Sequence, residues 1–495
     1  MGKRLELVWP NKEKVFLGLA QDGKPIWGTK DDIETRTMIQ LDAFGKVNKD
    51  NPANLYQQGD NLLIKGDNLL ALKSLEHHFA GKIKCIYIDP PFNTGNAFEH
   101  YDDGLEHTIW LSMMKARLEI LKKLLTEDGA IFVHIDDTEI GYLLALMNEV
   151  YGRNNYVALC TIRRSSPTGH KSINPGPMNT SDYVLIYARQ KDKWTYTRLF
   201  TARSRDKSYS SYIVNFEQGY SYWEIAPLNN VFIKSMGFPS LKEIKQLFSK
   251  EEIEIKLNEF VKSNAHAVIE LALPNYEGVS EAARKLIDKS KEKIGKIFVL
   301  KRDEYSDMYF INGRRILFYK DKLKEIDGEV VAGEPLTTIW NDIPFQALYL
   351  EGGISMPKGK KPEKLIQRIL EMTTSRSDWV LDSFLGSGTT TAVAHKMGRK
   401  WIGIEIGEQV ETHCLPRLKR VVSGEDQTGI SKSVNWKGGG GFRYCVLGES
   451  LFAKDKETGL IMINPRYTNG LLVNAVCNLE DFRLNNHKLW HGVRG

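Results

Sequence analysis

At 495 residues, 42% hydrophobic and 26% charged, the chain is long enough for two or more domains and too apolar to be disordered. No apolar run approaches the ~20 residues of a membrane span, and the charged start MGKRLELVWPNKEKVF has neither a signal-peptide core nor, with Glu6, a myristoylation pattern. Five scattered cysteines without a CxxC pair suggest no zinc site and no disulfide framework, and fit a reducing cytoplasm; the net charge of +6 is modest for the length.

Residues 1–50 show no strong periodicity and read as an N-terminal extension. Asn61–Lys65 (NLLIK) predicts a short strand ending in Gly66-Asp67, and Asn68–Phe79 has helical apolar spacing. Ile83–Ile88 (IKCIYI) reads as a buried parallel strand, followed at once by Asp89-Pro90-Pro91-Phe92-Asn93-Thr94-Gly95. In open α/β sheets ligands bind at that carboxyl edge. Proline has no N–H and cannot extend the ladder. The Asp89 carboxylate and a prolyl carbonyl therefore form an acceptor pair suited to an amino group, with Phe92 available to stack on the ring bearing it. Taken alone, the tetrapeptide is explained equally well as a strand-ending turn.

Next come an amphipathic helix over 108–125 stopped by Asp128-Gly129, a strand over 130–135 and a helix from 139 to about 151, the alternation of a doubly wound α/β fold. Residues 151–210 then hold 11 Lys+Arg against 3 Asp+Glu, a local excess of +8 that leaves the remainder at −2. Arg163, Arg164, Lys171, Arg203 and Arg205 are interleaved there with Tyr156, Tyr183, Tyr187, Trp194, Tyr196 and Tyr209, the mixture of cations and π-faces that phosphates and bases require. A solvated loop rim accounts for each charge singly. Residues 182–188 still read as a strand, 240–295 as Lys/Glu-rich helices, and 296–319 as strands around an Asn312-Gly313 hairpin signal. With no strand–helix alternation, this region reads as an inserted domain.

Alternation resumes with the basic loop 358–361 and the helix PEKLIQRILEM opened by Pro362. The strand Trp379–Asp382 runs into Ser383-Phe384-Leu385-Gly386-Ser387-Gly388-Thr389-Thr390-Thr391, then a helix over 392–397 and a strand over 400–404 closed by Glu405. That is the plan of a nucleoside-binding βαβ unit, with glycines admitting a ligand to backbone N–H groups and an acid placed for ribose hydroxyls. Thr391 replaces the third glycine of a dinucleotide fingerprint and no GxxxxGK[ST] loop is present, so S-adenosylmethionine is favoured over a dinucleotide or a nucleotide phosphate. The four glycines 438–441 read as a flexible hairpin or linker.

FLGSGTTT together with DPPF resembles the adenine-N6 DNA methyltransferases of the β arrangement, in which the catalytic half precedes the cofactor half. The flank YDDGLEHTIWLSMMKARLEILKKLLTEDGAIFVHIDD, the Lys361-Pro362 pair and the tail GGGGFRYCVLGE are similar to the modification (Mod) subunit of type III restriction–modification systems. The resemblance implies a mostly parallel, circularly permuted Rossmann-like methyltransferase sheet with an inserted α+β target-recognition domain. The implied divisions are an extension 1–50, a catalytic half 51–190, the insert 191–335, a cofactor half 336–425 and a C-terminal region 426–495 for dimerisation or partner contact. It implies catalytic Asp89, Pro90, Pro91 and Phe92. Asp67, Lys361, Asp382, Phe384, Gly386, Ser387, Gly388, Thr389 and Glu405 would hold S-adenosylmethionine, and Arg163, Arg164, Lys171, Arg203 and Arg205 duplex DNA. A restriction (helicase–nuclease) subunit and a homodimer are implied as partners. Phe92 stands where many relatives have Tyr, and Ser181-Asp182 where many have His-Glu. The alternatives are a cytosine-N4, RNA or protein-glutamine methyltransferase and a non-catalytic DNA-recognition subunit.

Overall fold

The computed structural model of the chain describes residues 6–47, 59–93, 105–166, 176–326, 328–346, 348–356, 359–455, 458–479, 482–484 and 492–493. Its contacts divide the chain into two units, one of residues 1–197 with 337–495 and the other of residues 198–336.

The first unit is built on ten strands: β1 (Met38–Gly45), β2 (Asn61–Lys65), β3 (Ile83–Ile88), β4 (Leu125–Ile135), β5 (Tyr156–Arg163), β6 (Ser181–Ala188), β7 (Ile339–Trp340), β8 (Trp379–Asp382), β9 (Lys400–Glu405) and β10 (Gly441–Leu447). Their order across the sheet is β7-β5-β6-β4-β3-β8-β9-β2-β10-β1. The six strands from β4 to β10 run parallel, while β6 joins β4 and β1 joins β10 antiparallel. Helices α1 (Asn68–Phe79), α2 (His107–Leu124) and α3 (Ile140–Met147) pack on one another in one layer; α4 (Glu363–Thr373), α5 (Thr389–Lys396) and α6 (Leu415–Ser423) form another. This is the doubly wound arrangement, with strands β2 to β4 from early in the chain and β8 and β9 from late in it interleaved in one sheet.

The central strands are buried on both faces, as an all-apolar parallel strand must be. Lys84 is the exception within β3. Its ammonium reaches the Asp128 carboxylate at 2.5 Å and the Asp128 carbonyl at 2.9 Å. Register slips there, since Ile83 pairs with Leu125 but Cys85 with Ala130. Residues 126–129 bulge to meet the lysine. Asp128-Gly129 is therefore part of that bulge and not the end of α2, which stops four residues earlier at Leu124.

Both ends of the chain enter the sheet, which periodicity alone did not show. Within the first 50 residues, Val15–Leu19 and Pro25–Gly28 form a hairpin and β1 lies along the sheet's edge. The glycines 438–441 are a turn leading into β10, which sits between β2 and β1 and is no linker. Gly438 and Gly440 take φ of +93° and +70°, and a Cβ on Gly441 would stand 2.5 Å from the Phe44 carbonyl oxygen.

The 198–336 unit is α+β. Its six-stranded antiparallel sheet runs Ile225–Pro227, Ser211–Ile213, Val268–Ala272, Arg314–Phe318, Met308–Ile311, Phe298–Leu300. Asn312 and Gly313, at φ of +48° and +75°, turn the hairpin between two of these strands as the sequence predicts. Helix Lys250–Ser263 starts on a Ser249/Glu252 capping box.

Candidate functional site

The sheet order β3-β8-β9-β2 sets four strand ends side by side, and each ends in or runs into an acid: Asp89, Asp382, Glu405 and Asp67. All four line a single cavity of about 260 Å³, shared with Phe384, Gly386, Ser387, Thr389 and Lys361. Asp89 and the Gly386 turn, nearly three hundred positions apart in the chain, thus face the same space.

Asp89 is mostly buried and asymmetric. Oδ2 takes the Lys361 ammonium at 2.5 Å, whereas Oδ1 is buried and meets no donor among the described residues. The same ammonium lies 4.9 Å from the centre of the Phe92 ring. The Pro91 carbonyl accepts from Trp110 Nε1 at 2.9 Å, leaving Pro90 as the prolyl acceptor without a donor among the described residues. Behind Phe92 lies His134, fully buried, with ring centres 5.7 Å apart at 34°. His134 is held on both nitrogens, Nδ1 2.9 Å from the Tyr87 hydroxyl and Nε2 3.3 Å from Asp182, which in turn pairs with Arg164 at 3.1 Å. Asn93, at φ +63°, donates to Glu139 at 2.6 Å, so the turn after Phe92 is tied to the start of α3.

On the other wall, Gly386 has φ +57° and open space where a Cβ would stand, so only glycine fits this backbone without strain. Its N–H donates to Glu405 Oε2 at 2.7 Å, while Oε1 accepts from the Ile406 and Gly407 N–H groups and from Gln409 Nε2. The carboxylate at the end of β9 is thereby fixed in direction. Asp382 accepts from Phe384 N at 2.9 Å and Thr390 Oγ1 at 2.5 Å, closing the loop back on its own strand. Burial pushes the Asp382 carboxyl up to about 7, Asp89 and Glu405 adding to the rise and the two hydrogen bonds opposing it. Asp67 caps α1, accepting from Leu69 N at 2.9 Å and Leu70 N at 3.1 Å, and turns Oδ2 toward Arg117 at 3.4 Å. The open space at Gly386, the oriented Glu405 and the cavity between them suit a nucleoside approaching backbone N–H groups.

Below this loop lies a closed ionic cluster. Glu363 takes Lys396 at 2.9 Å, Arg417 Nη2 at 2.7 Å and the Ile430 N–H at 3.0 Å, and Lys396 also reaches Asp426 at 2.8 Å. Arg417 Nη1 extends to Thr389 Oγ1 at 2.8 Å and the Ser387 carbonyl at 3.3 Å. Gly388, at φ +77°, opens α5. The Cys414 thiol donates to the Gly386 carbonyl at 3.0 Å, and burial pushes that thiol upward. The glycine turn is therefore braced from beneath by α4 and α6.

The five cations singled out for nucleic acid fare differently. Lys171 lies outside the described residues. Arg163 is exposed; Arg164 is partly exposed and bound to Asp182. In the 198–336 unit Arg203 faces Glu334 at 3.5 Å. Arg205 is nearly buried between Glu254 and Asn258, at 3.2 and 3.1 Å, so it braces that unit and does not present itself to phosphate. Sequence reasoning missed Asn68, which donates to the Ser383 carbonyl at 2.7 Å, and Arg117, which donates to Asn68 Oδ1. An arginine on an amphipathic helix carries no signal that it turns inward. Nor did the sequence single out His134, read only as one position in an apolar strand.

A family model described as DNA methylase matches residues 83–414. Among curated proteins, the chain is 35% identical over 419 residues to the probable type III restriction-modification enzyme HindVI Mod subunit of Haemophilus influenzae, covering 78% of this chain and 54% of that one. It is 28% identical over 387 residues to the EcoPI Mod subunit of Escherichia phage P1, covering 68% and 55%. To the type II methyltransferase M.EcaI of Enterobacter cloacae it is 27% identical over 358 residues, covering 70% and 66%. The chain spans about half the length of the two Mod subunits.

Proposed function

The chain belongs to the DNA methylase family, and on that footing we propose that it methylates the N6 amino group of adenine in duplex DNA, using S-adenosylmethionine, as the modification component of a restriction–modification system. The observation that carries this reading is the shared cavity of Asp89 and the Gly386–Glu405 turn. The likeness to proteins named Mod subunits of restriction-modification enzymes supports the restriction–modification setting; a restriction subunit and a second copy of the chain are the partners proposed with it. The five cysteines, all of them buried, support a reducing, cytoplasmic setting.

Asp67, Asp382, Phe384, the 386–389 turn and Glu405 would hold the cofactor. When bound, S-adenosylmethionine supplies a methyl carbon on a sulfonium that departs as a neutral thioether. The chain's own work is on the nucleophile. Adenine N6 is poorly nucleophilic because its lone pair is delocalised into the ring. Acceptance of its two N–H bonds by the Asp89 carboxylate and the Pro90 carbonyl turns that lone pair out of the ring plane and takes up positive charge developing on nitrogen, whose surplus proton is then lost by way of the Asp89 carboxylate to solvent. Phe92, backed by His134, is placed to stack on a base rotated out of the duplex, since no base in the stack can enter such a cavity. Aspartate at position 89, where serine would favour cytosine N4, supports adenine. We assign the 198–336 unit to target recognition, supported by its separate α+β fold. Arg163 and Arg164 are assigned to phosphate. The test is to express the chain in a host without endogenous adenine methylation and sequence its DNA. Modified adenine at a recurring short sequence is expected; unmodified adenine, with the protein present and folded, would remove the reading.

A further inference from the structure

Three of the contacts that Lys361 makes, beside a long one from its ammonium to the Gly359 carbonyl at 3.5 Å, together describe something other than a residue bordering a cofactor. Its ammonium is 2.5 Å from Asp89 Oδ2 and 4.9 Å from the Phe92 ring centre, and its carbonyl accepts from Thr389 Oγ1 of the glycine turn at 3.3 Å. A nitrogen carrying hydrogens, set between that carboxylate and that ring, makes the interactions required of the target amino group. Asp89 Oδ1, buried and without a donor among the described residues, marks the second half of the same acceptor site. The side chain is only 9% exposed, so the pair is shielded from water and salt.

We infer that Lys361 is a stand-in for the target amine: its ammonium closes the amino-group site between Asp89 and Phe92, and a cationic ligand in the adjoining cavity drives it out. The inference rests on the proposed reaction. Lys361 lines the cavity, so a positive charge arriving there meets a like charge in a poorly screened setting, while a neutral ligand of the same shape does not. Lys361 leaves, Asp89 becomes available to the base, and only the charged form of the cofactor admits it. The neutral thioether product lets Lys361 return, which favours release of the base. The lysine thereby couples the cofactor's charge to base entry by differential interaction with two arrangements of one side chain.

The test uses the full chain and a duplex containing the mapped site, with 2-aminopurine beside the target adenine so that fluorescence rises when its neighbour leaves the stack. In the wild type, S-adenosylmethionine is expected to raise the signal at least roughly fivefold more than S-adenosylhomocysteine does. In Lys361→Met, which keeps the stem and drops the charge, the signal is expected to be high without any ligand and equal with both. A Lys361→Met protein that melts like the wild type yet flips no more without ligand, and still distinguishes the two ligands, would overturn the inference. Should that variant fail to fold, acylation of Lys361 in the wild type, mapped by mass spectrometry, takes its place. Protection without ligand and with S-adenosylhomocysteine, lost with S-adenosylmethionine, is expected; equal labelling in all three states would refute it. These readouts need no turnover. A wild type that methylates its site but fails them loses the gate alone, whereas one that never methylates loses both.

Discussion

Asp89 and Glu363 are both acids facing a lysine near the start of α4, and they differ in what remains unsatisfied. Glu363 and Lys396 are 0% exposed, and the glutamate is met by Lys396, Arg417 and a backbone N–H. Asp89 is 16% exposed at a cavity wall, with one oxygen on Lys361 and the other without a donor among the described residues. A fully buried carboxylate with both oxygens taken is scaffold, since removing it leaves its cations uncompensated. A carboxylate with a spare acceptor at a cavity has capacity for a ligand. The difference separates what holds the glycine turn from what acts beside it.

Substitutions can sharpen that contrast. Glu363→Ala should cost about 3–5 kcal/mol of stability, because Lys396 and Arg417 lose a shared buried partner; a melting midpoint near the wild-type value would end the scaffold assignment. Asp89→Ala, which strands Lys361 beside a cavity and not inside a closed cluster, should cost less stability than Glu363→Ala and cut methyl transfer by about 10²–10³-fold, the scale of a lost charge-stabilising contact. Retained transfer would remove Asp89 from the reaction. Glu405→Ala should weaken S-adenosylmethionine binding in calorimetry by about 5- to 100-fold, the range for losing an oriented buried acceptor, with DNA affinity much less affected. Equal affinity would return Glu405 to a purely local role as anchor of the 406–409 turn. The last contrast is one of pH dependence and belongs to Asp382. Its folded carboxyl titrates near 7, above its unfolded value, so between about pH 4 and 7 the native state binds the extra proton and stability falls as pH rises. Asp382→Asn should flatten that slope, seen as a melting midpoint that changes less across the window than the wild type's.

That DPPF and FLGSGTTT end strands was legible because each follows a short apolar run that turns into a proline or glycine break, and such breaks are local chemistry. The permuted order was implied by the family resemblance, and the sheet order sets Asp67, Asp89, Asp382 and Glu405 at neighbouring strand ends. What escaped was set by long-range pairing. β1 and β10 have no periodicity that distinguishes them from an extension and a glycine linker; β10 forms on the edge that β2 offers, and β1 on the edge of β10. The Lys84–Asp128 bulge, the inward turn of Arg117 and the enclosure of Arg205 depend likewise on partners remote in sequence or on another element.

The central pairing of β3 with β8, Ile86 against Leu381, has a consequence for synthesis. At roughly 5–20 residues per second, a ribosome needs on the order of 15–60 s to make the stretch between them. Through that interval the strand bearing Asp89 offers a bare apolar flank to its surroundings, a template for wrong neighbours. The nascent chain is therefore exposed to mispairing until β8 is made, and chaperone shielding of that strand matters in that window.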